Sequence, residues 1–175
     1  MTLAVPSHSP GQVHALHGFL GSGKTTLARC LEAQQGALRF SPDEWTRALL
    51  GADPPEALYR PALAALLSLF EAQWVRAARA GVDVVLDYGF WSRRERDALR
   101  AVCLREGLPL RLYRLQVPDE LLWARVEARN AQVATGQATG SVWINPGDFQ
   151  AFRNHFEPLS ADELFVDVPA GHQEV

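Results

Sequence analysis

The residues best able to do chemistry in this sequence lie in one run, Gly18-Phe-Leu-Gly-Ser-Gly-Lys-Thr25, which has the spacing G-x-x-x-x-G-K-T. Glycines at 18, 21 and 23 allow positive φ angles and let the main chain approach an anion closely. The amides of such a turn point inward as a nest, and a helix that starts there adds its positive end. Ser22 and Thr26 belong to the same cradle. Lys24 would reach the β and γ oxygens of a bound triphosphate, and Thr25 would offer its hydroxyl to Mg²⁺. Lys24 is also the only lysine among 17 basic residues. That fits a position where a compact ammonium is needed and a guanidinium cannot replace it.

A phosphate cradle does not say what becomes of the phosphate, so the carboxylates at strand ends come next. Asp87 closes the apolar run VDVVLD, and Asp43 follows ALRFS. In doubly wound sheets, ligands sit beyond the carboxyl ends of the strands, which places both acids in the crevice with Lys24. Asp87 could hold Mg²⁺ through water, orient an acceptor, or simply cap its strand. Asp43 could accept a proton from an acceptor hydroxyl, or complement a helix dipole. Arg47, four residues on, shares its face and could bind an anionic group of the acceptor or pair with Asp43.

Arg125 and Arg129 are likewise one turn apart, at the foot of a glycine-containing stretch. This suits a lid that brings two guanidinium groups over a transferring phosphate, although a solvated helix face is also possible. Trp45, Tyr88, Phe90 and Trp91 could wall an acceptor pocket or pack in the core. Arg93, Arg94, Arg96 and Arg100 read as a solvated helix face. The five histidines have no metal spacing, and none is assigned a catalytic role.

These side chains need elements to position them. Helical spacing is expected over residues 24–34, from Pro42, from Pro61 to a stop at Gly81, from a Ser92/Glu95 capping box to Gly107, from Pro118 to Asn130, and over 146–155. Short strands are expected at 12–17, 37–41, 82–87, 108–117 and 162–168. Strands alternating with helices predict an α/β domain with a mainly parallel sheet. A single domain over 12–168 is expected, with a tail at 1–11, a lid over about 125–145 and a second tail at 169–175.

Composition excludes other classes. The formal charge is −3, apolar residues make up 47% and charged residues 21%, as in an ordinary globular domain. No apolar run approaches the ~20 residues of a membrane span, and the N-terminal stretch has no secretory pattern. Cys30 and Cys103 cannot form a disulfide scaffold, so the expected home is the reducing cytoplasm, with both thiols as small buried groups. The acidic balance supplies no long-range field for nucleic acid.

The order of GFLGSGKTT, FSPDEWTR, VVLDYGFWSRRERDAL and WARVEARN resembles the small P-loop kinases related to polynucleotide kinase, zeta toxin and chloramphenicol phosphotransferase. The resemblance implies a three-layer P-loop NTPase fold with a five-stranded parallel sheet of the nucleoside-kinase type and a lid. It implies ATP and Mg²⁺, with Gly21, Gly23, Lys24, Thr25 and Thr26 in the cradle. It further implies Asp43 as acceptor-activating acid, Arg47 close to the acceptor-binding arginine, Asp87 on the following strand, and Arg125 and Arg129 as paired lid arginines. DYGFW is bulkier than the small polar segment of the polynucleotide kinases. With the acidic balance, this turns the expectation toward transfer of the γ-phosphoryl group to the hydroxyl of a small molecule. A polynucleotide 5′-hydroxyl kinase, a toxin-like kinase of nucleotide sugars and a nucleotide-gated regulator without acceptor are the alternatives.

Overall fold

Every strand in the sheet is short and parallel. The computed structural model describes residues 9–51, 54–135 and 143–169. In chain order the elements are β1 (Val13–His17), α1 (Lys24–Gln35), β2 (Leu38–Phe40), α2 (Pro42–Leu50), α3 (Glu56–Arg79), β3 (Val84–Leu86), α4 (Arg93–Glu106), β4 (Leu110–Leu115), α5 (Asp119–Ala134), α6 (Pro146–Arg153) and β5 (Val166–Val168). The five strands lie in the order β2-β3-β1-β4-β5. Val13 is opposite Val84 on one side and Leu110 on the other. The chain leaves β1 toward β2, then crosses back past β1 to β4 and β5. The direction of winding therefore reverses beside β1, where a ligand crevice opens in this class of sheet.

The pleat sorts the core into two faces. Val13, Ala15, Val84 and Leu86 meet Leu66, Phe70 and Trp74 of α3 and Leu99, Val102 and Cys103 of α4. Leu16 and Val85 face the other way, onto Ala28 and Leu31 of α1. This alternation is the period-2 signature of a sheet covered on both sides. Burial pushes the Cys103 thiol up to about 11, so it is inert packing; Cys30 is only half-buried.

Several boundaries differ from expectation, each for a physical reason. Helix α3 begins at Glu56, five residues before Pro61. Leu58 and Tyr59 both donate to the Pro55 carbonyl and form the first turn, so the helix is already started when it reaches Pro61, which costs it the bond to Ala57. Helix α5 runs to Ala134 rather than Asn130. Of the expected lid, residues 136–142 lie outside the described residues. Strand β5 is confined to Val166–Val168, because Glu163 is drawn into a buried ion pair. Gly11, expected in the tail, is buried: its amide donates to the Ala78 carbonyl at 2.7 Å, and a Cβ there would strike Val82. Among the described residues, no helix is long and apolar enough to cross a membrane.

Candidate active site

Helix α1 starts with no side-chain cap and no acid in its first turn. Its first amides are left without intrahelical partners at the positive end of the dipole, which is an anion site. Gly23, at φ 92°, turns the chain into the helix. Gly21 has φ 76°, and a Cβ there would lie 2.7 Å from the Leu122 carbonyl of α5. A Cβ added at Gly18 would strike the Ser22 hydroxyl. Gly21→Ala combines backbone strain with that clash. It is expected to lower stability by about 1–3 kcal/mol, read as an earlier midpoint in urea.

Lys24 Nζ donates to the Phe19 carbonyl at 2.9 Å, across the mouth of the turn. Burial lowers its pKa to about 8, with Asp87 and Asp43 opposing the shift. Thr25 Oγ1 donates to Asp87 Oδ1 at 3.4 Å, while Thr26 is exposed one residue further along α1. Asp87 is buried at the end of β3. Its pKa is raised, chiefly by burial, against Arg39, Lys24 and Thr25.

Arg39, on β2, was not singled out from the sequence. Its guanidinium donates to Asp87 at 3.2 Å, Glu44 at 2.7 Å and Glu32 at 3.0 Å. An arginine flanked by Leu38 and Phe40 on an edge strand is uninformative by itself, because its partners come from three other elements.

Asp43 lies in the first turn of α2, where Ser41 precedes Pro42 as expected. Among the described residues no donor holds its carboxylate. The concave surroundings raise its pKa by desolvation; Lys24 and Arg129 act in the opposite direction. Arg129 Nε is closed off from solvent and has no partner among the described residues. Burial lowers the Arg129 pKa, and the nearby Asp43 opposes that. Arg125 Nη1 donates to the Gly21 carbonyl at 3.3 Å, so both arginines of α5 overlook the cradle. Asn130 holds Ile144 through two hydrogen bonds, 2.7 and 3.0 Å, which brings the chain beyond 142 back to α5.

The segment after Asp87 is fixed from below. Phe90 has φ 44°, an uncommon conformation for an aromatic residue. Its carbonyl accepts from His17 Nδ1 at 3.0 Å and from Arg96 Nη1 at 3.1 Å. Trp91 Nε1 donates to the Gly18 carbonyl at 3.1 Å, tying this segment to the cradle. Burial lowers the His17 pKa to about 4, so its ring is neutral at physiological pH.

Arg96 was expected on a solvated face; instead it is only 1% exposed. It pairs with both oxygens of Glu163 at 2.8 and 2.9 Å and donates to the carbonyls of Trp91, Glu157 and Pro158. Its position could have been read from the helix phase, since Arg96, Leu99 and Cys103 follow the i, i+3, i+7 spacing of an apolar stripe.

A cleft of about 1290 Å³ joins these groups. Its lining includes Gly21, Gly23, Lys24, Thr25, Thr26, Asp43, Arg47, Asp87, Trp91, Arg125 and Arg129, and also Tyr59, which the sequence reading passed over. Trp45 is not part of the lining. It is 54% exposed and packs edge-on against Phe70, because Pro42 and Thr46 take the buried positions of the same helix.

No curated protein matches this sequence. Solved structures do. An inferred kinase of Chloroflexus aurantiacus J-10-fl superposes with a TM-score of 0.70 at 17% identity, covering 92% of this chain and 88% of its own. A chain of the Pnkp1/Rnl/Hen1 RNA repair complex gives 0.68 at 19%, over 88% of this chain and 46% of that longer one. The Mycobacterium tuberculosis APS kinase CysC, in complex with AMPPNP and APS, gives 0.54 at 17%, over 83% and 97%. At these identities the likeness is one of fold, and the fold is that of the P-loop kinases. Residues 13–145, from β1 to the segment that Asn130 holds against α5, match the AAA_33 family model, an AAA domain, and the chain belongs to that family.

Proposed function

We propose that this protein transfers the γ-phosphoryl group of ATP to a hydroxyl of a small-molecule acceptor. One observation carries this reading: Asp43, a carboxylate that no donor holds among the described residues, stands beside Lys24 and Arg129 at the mouth of an uncapped helix. Such an arrangement can grip phosphate and take a proton from an attacking oxygen within the same crevice.

The residues divide the work. The amides of Gly21, Gly23, Lys24 and Thr25 bind the phosphates, while the Ser22 amide closes the turn onto the Phe19 carbonyl at 3.1 Å. Lys24 and the arginines of α5 stabilise charge that develops on the transferring group. Asp43 orients the acceptor hydroxyl and accepts its proton. Asp87, already engaged by Arg39 and Thr25, is the poorer base. Thr25 and Asp87 fit a magnesium ion, because hydroxyl and carboxylate oxygens are the donors that Mg²⁺ accepts beside phosphate and water. When bound there, it would neutralise phosphate charge. Arg47 and Trp91 contact the acceptor side. Arg47, on the same helix as Asp43, also supports a second reading in which the acceptor is the 5′-hydroxyl of a nucleic-acid strand.

Two titrations set the expected pH profile. Asp43 acts only when ionised, so kcat/KM climbs as pH rises through a value above the ordinary carboxylate 3.8. Lys24 acts only when charged, so in the free protein its contribution is lost as pH rises through about 8. The expected result is a bell with its basic limb near 8. Asp43→Asn should retain nucleotide binding, lose about 10²–10⁴-fold in transfer, and flatten the acidic limb. Phosphorus NMR of product formation from Mg-ATP reads the rate and its pH profile, and calorimetry with AMPPNP reads the binding. Wild-type turnover by Asp43→Asn would remove it as the base.

A further inference from the structure

The cleft has two chemically different arms. The cations in its lining, Lys24, Arg29, Arg47, Arg125 and Arg129, belong to α1, α2 and α5. Beyond Asp43, between α3, α4 and the segment after β3, the wall is Leu63, Leu67, Tyr88, Phe90, Leu99 and Val102. Among the described residues the charged side chains lining this arm are Glu71, which lies 3.9 Å from Arg105, and Glu95. Glu95 is already committed to the capping box of α4 through the Ser92 amide. The Tyr88 hydroxyl is closed off from solvent and without a partner among the described residues. Tyr88 stacks on Phe90 at 5.3 Å and on Phe70 at 6.4 Å, so the aromatic wall is continuous with the core.

This lining discriminates among acceptors. Apart from the Glu71 and Glu95 carboxylates, this wall leaves the hydroxyls of a polyhydroxylated sugar unmatched against leucine and valine, and each buried unmatched polar group is costly. A nucleic-acid strand brings phosphates that need cations along their path, and beyond Arg47 this arm offers carboxylates. A hydrocarbon or aromatic body gains from the same surface.

We propose that the acceptor is an uncharged alcohol with an apolar body, seated in this arm with its hydroxyl at Asp43. The inference rests on the phosphotransferase reading above. In the step, a lone pair of the alcohol oxygen forms a bond to the γ phosphorus. The bond from that phosphorus to the β–γ bridging oxygen breaks, and its electron pair leaves with ADP. The alcohol proton passes to Asp43 and then to water. The products are a phosphomonoester and ADP.

The test offers Mg-ATP with benzyl alcohol, 2-phenylethanol or 3-phenylpropan-1-ol, against glucose and a 5′-hydroxyl decadeoxynucleotide, with products read by phosphorus NMR. AMPPNP binding is measured beside it by calorimetry. The expected result is a phosphomonoester from the aromatic alcohols, with kcat/KM rising about three- to fourfold per added methylene. Leu67 sits on the arm at 36% exposed and tolerates a polar replacement. Leu67→Asp is expected to cut kcat/KM for 3-phenylpropan-1-ol at least fivefold while the AMPPNP Kd stays put. Nucleotide binding together with faster transfer to glucose or the oligonucleotide, with no product from any of the aromatic alcohols, or with an undiminished Leu67→Asp, overturns this inference and leaves the nucleotide site standing. Absence of nucleotide binding overturns both.

Discussion

Lys24→Ala is expected to lower phosphoryl transfer about 10³-fold, the scale of removing one preorganised charge from a transition state. No other lysine exists to replace it. In the free protein its ammonium rests on the Phe19 carbonyl, and burial already holds its pKa near 8. A bound phosphate adds to the negative charge that Asp87 and Asp43 already place near this buried group, so binding and catalysis both lose when the amine is deleted. Lys24→Arg should not restore the wild-type rate. A planar fork needs more room than a turn in which added atoms at Gly18 and Gly21 already collide. Single-turnover measurement with saturating nucleotide separates the two losses. A Lys24→Ala protein within tenfold of wild type would remove Lys24 from the mechanism.

Arg96→Leu is expected to be the most destabilising change outside the cradle. The Glu163 side chain is fully buried, and its remaining partners are the Ser160 amide at 3.0 Å, Arg100 at 2.6 Å and Arg93 at 4.0 Å. Stripping Arg96 from it leaves a less compensated buried charge and takes a donor from four backbone carbonyls, of which Phe90 keeps His17. Losses of this kind run to about 3–5 kcal/mol, a large part of the roughly 5–15 kcal/mol that holds a domain together. Urea denaturation should show it as an early midpoint. Arg96 holds the Glu163 carboxyl well below its usual 4.5, aided by the Ser160 amide and Arg100. A depressed folded-state pKa adds stability that is complete above 4.5 and fades as pH falls below it. Wild type should therefore lose this contribution in acid, and Arg96→Leu should lose less over the same range. A change under 1 kcal/mol at neutral pH would mean the pair is replaceable by its neighbours.

What the sequence made legible was local. Glycine spacing, the Ser92/Glu95 capping box and the stop at Gly107 each depend on residues within a turn or two, and all three stand as read. The sheet followed from apolar runs of strand length alternating with helical spacing. Asp43 and Asp87 were found because strand ends converge in this topology. Nonlocal pairings were not legible. Arg39 meets Asp87 across 48 residues, and Arg96 meets Glu163 across 67. Nothing at either end of such a pair distinguishes a buried charge from a solvated one, except the helix phase that put Arg96 on the stripe of Leu99 and Cys103. Trp45 was misplaced for the opposite reason. Nearness to Asp43 along the chain does not settle which way a helical side chain points, and Trp45 turns toward Phe70.

The central claim is that the uncapped start of α1 grips a triphosphate through its own amides and the Lys24 ammonium. Titration of magnesium-AMPPNP into the wild-type protein, with Lys24→Ala as its partner experiment, tests this most directly. One saturating site in the wild type, weakened by an order of magnitude or more in the variant, is the predicted result. A wild-type protein that takes up no nucleotide, or a variant that binds it equally well, contradicts the account.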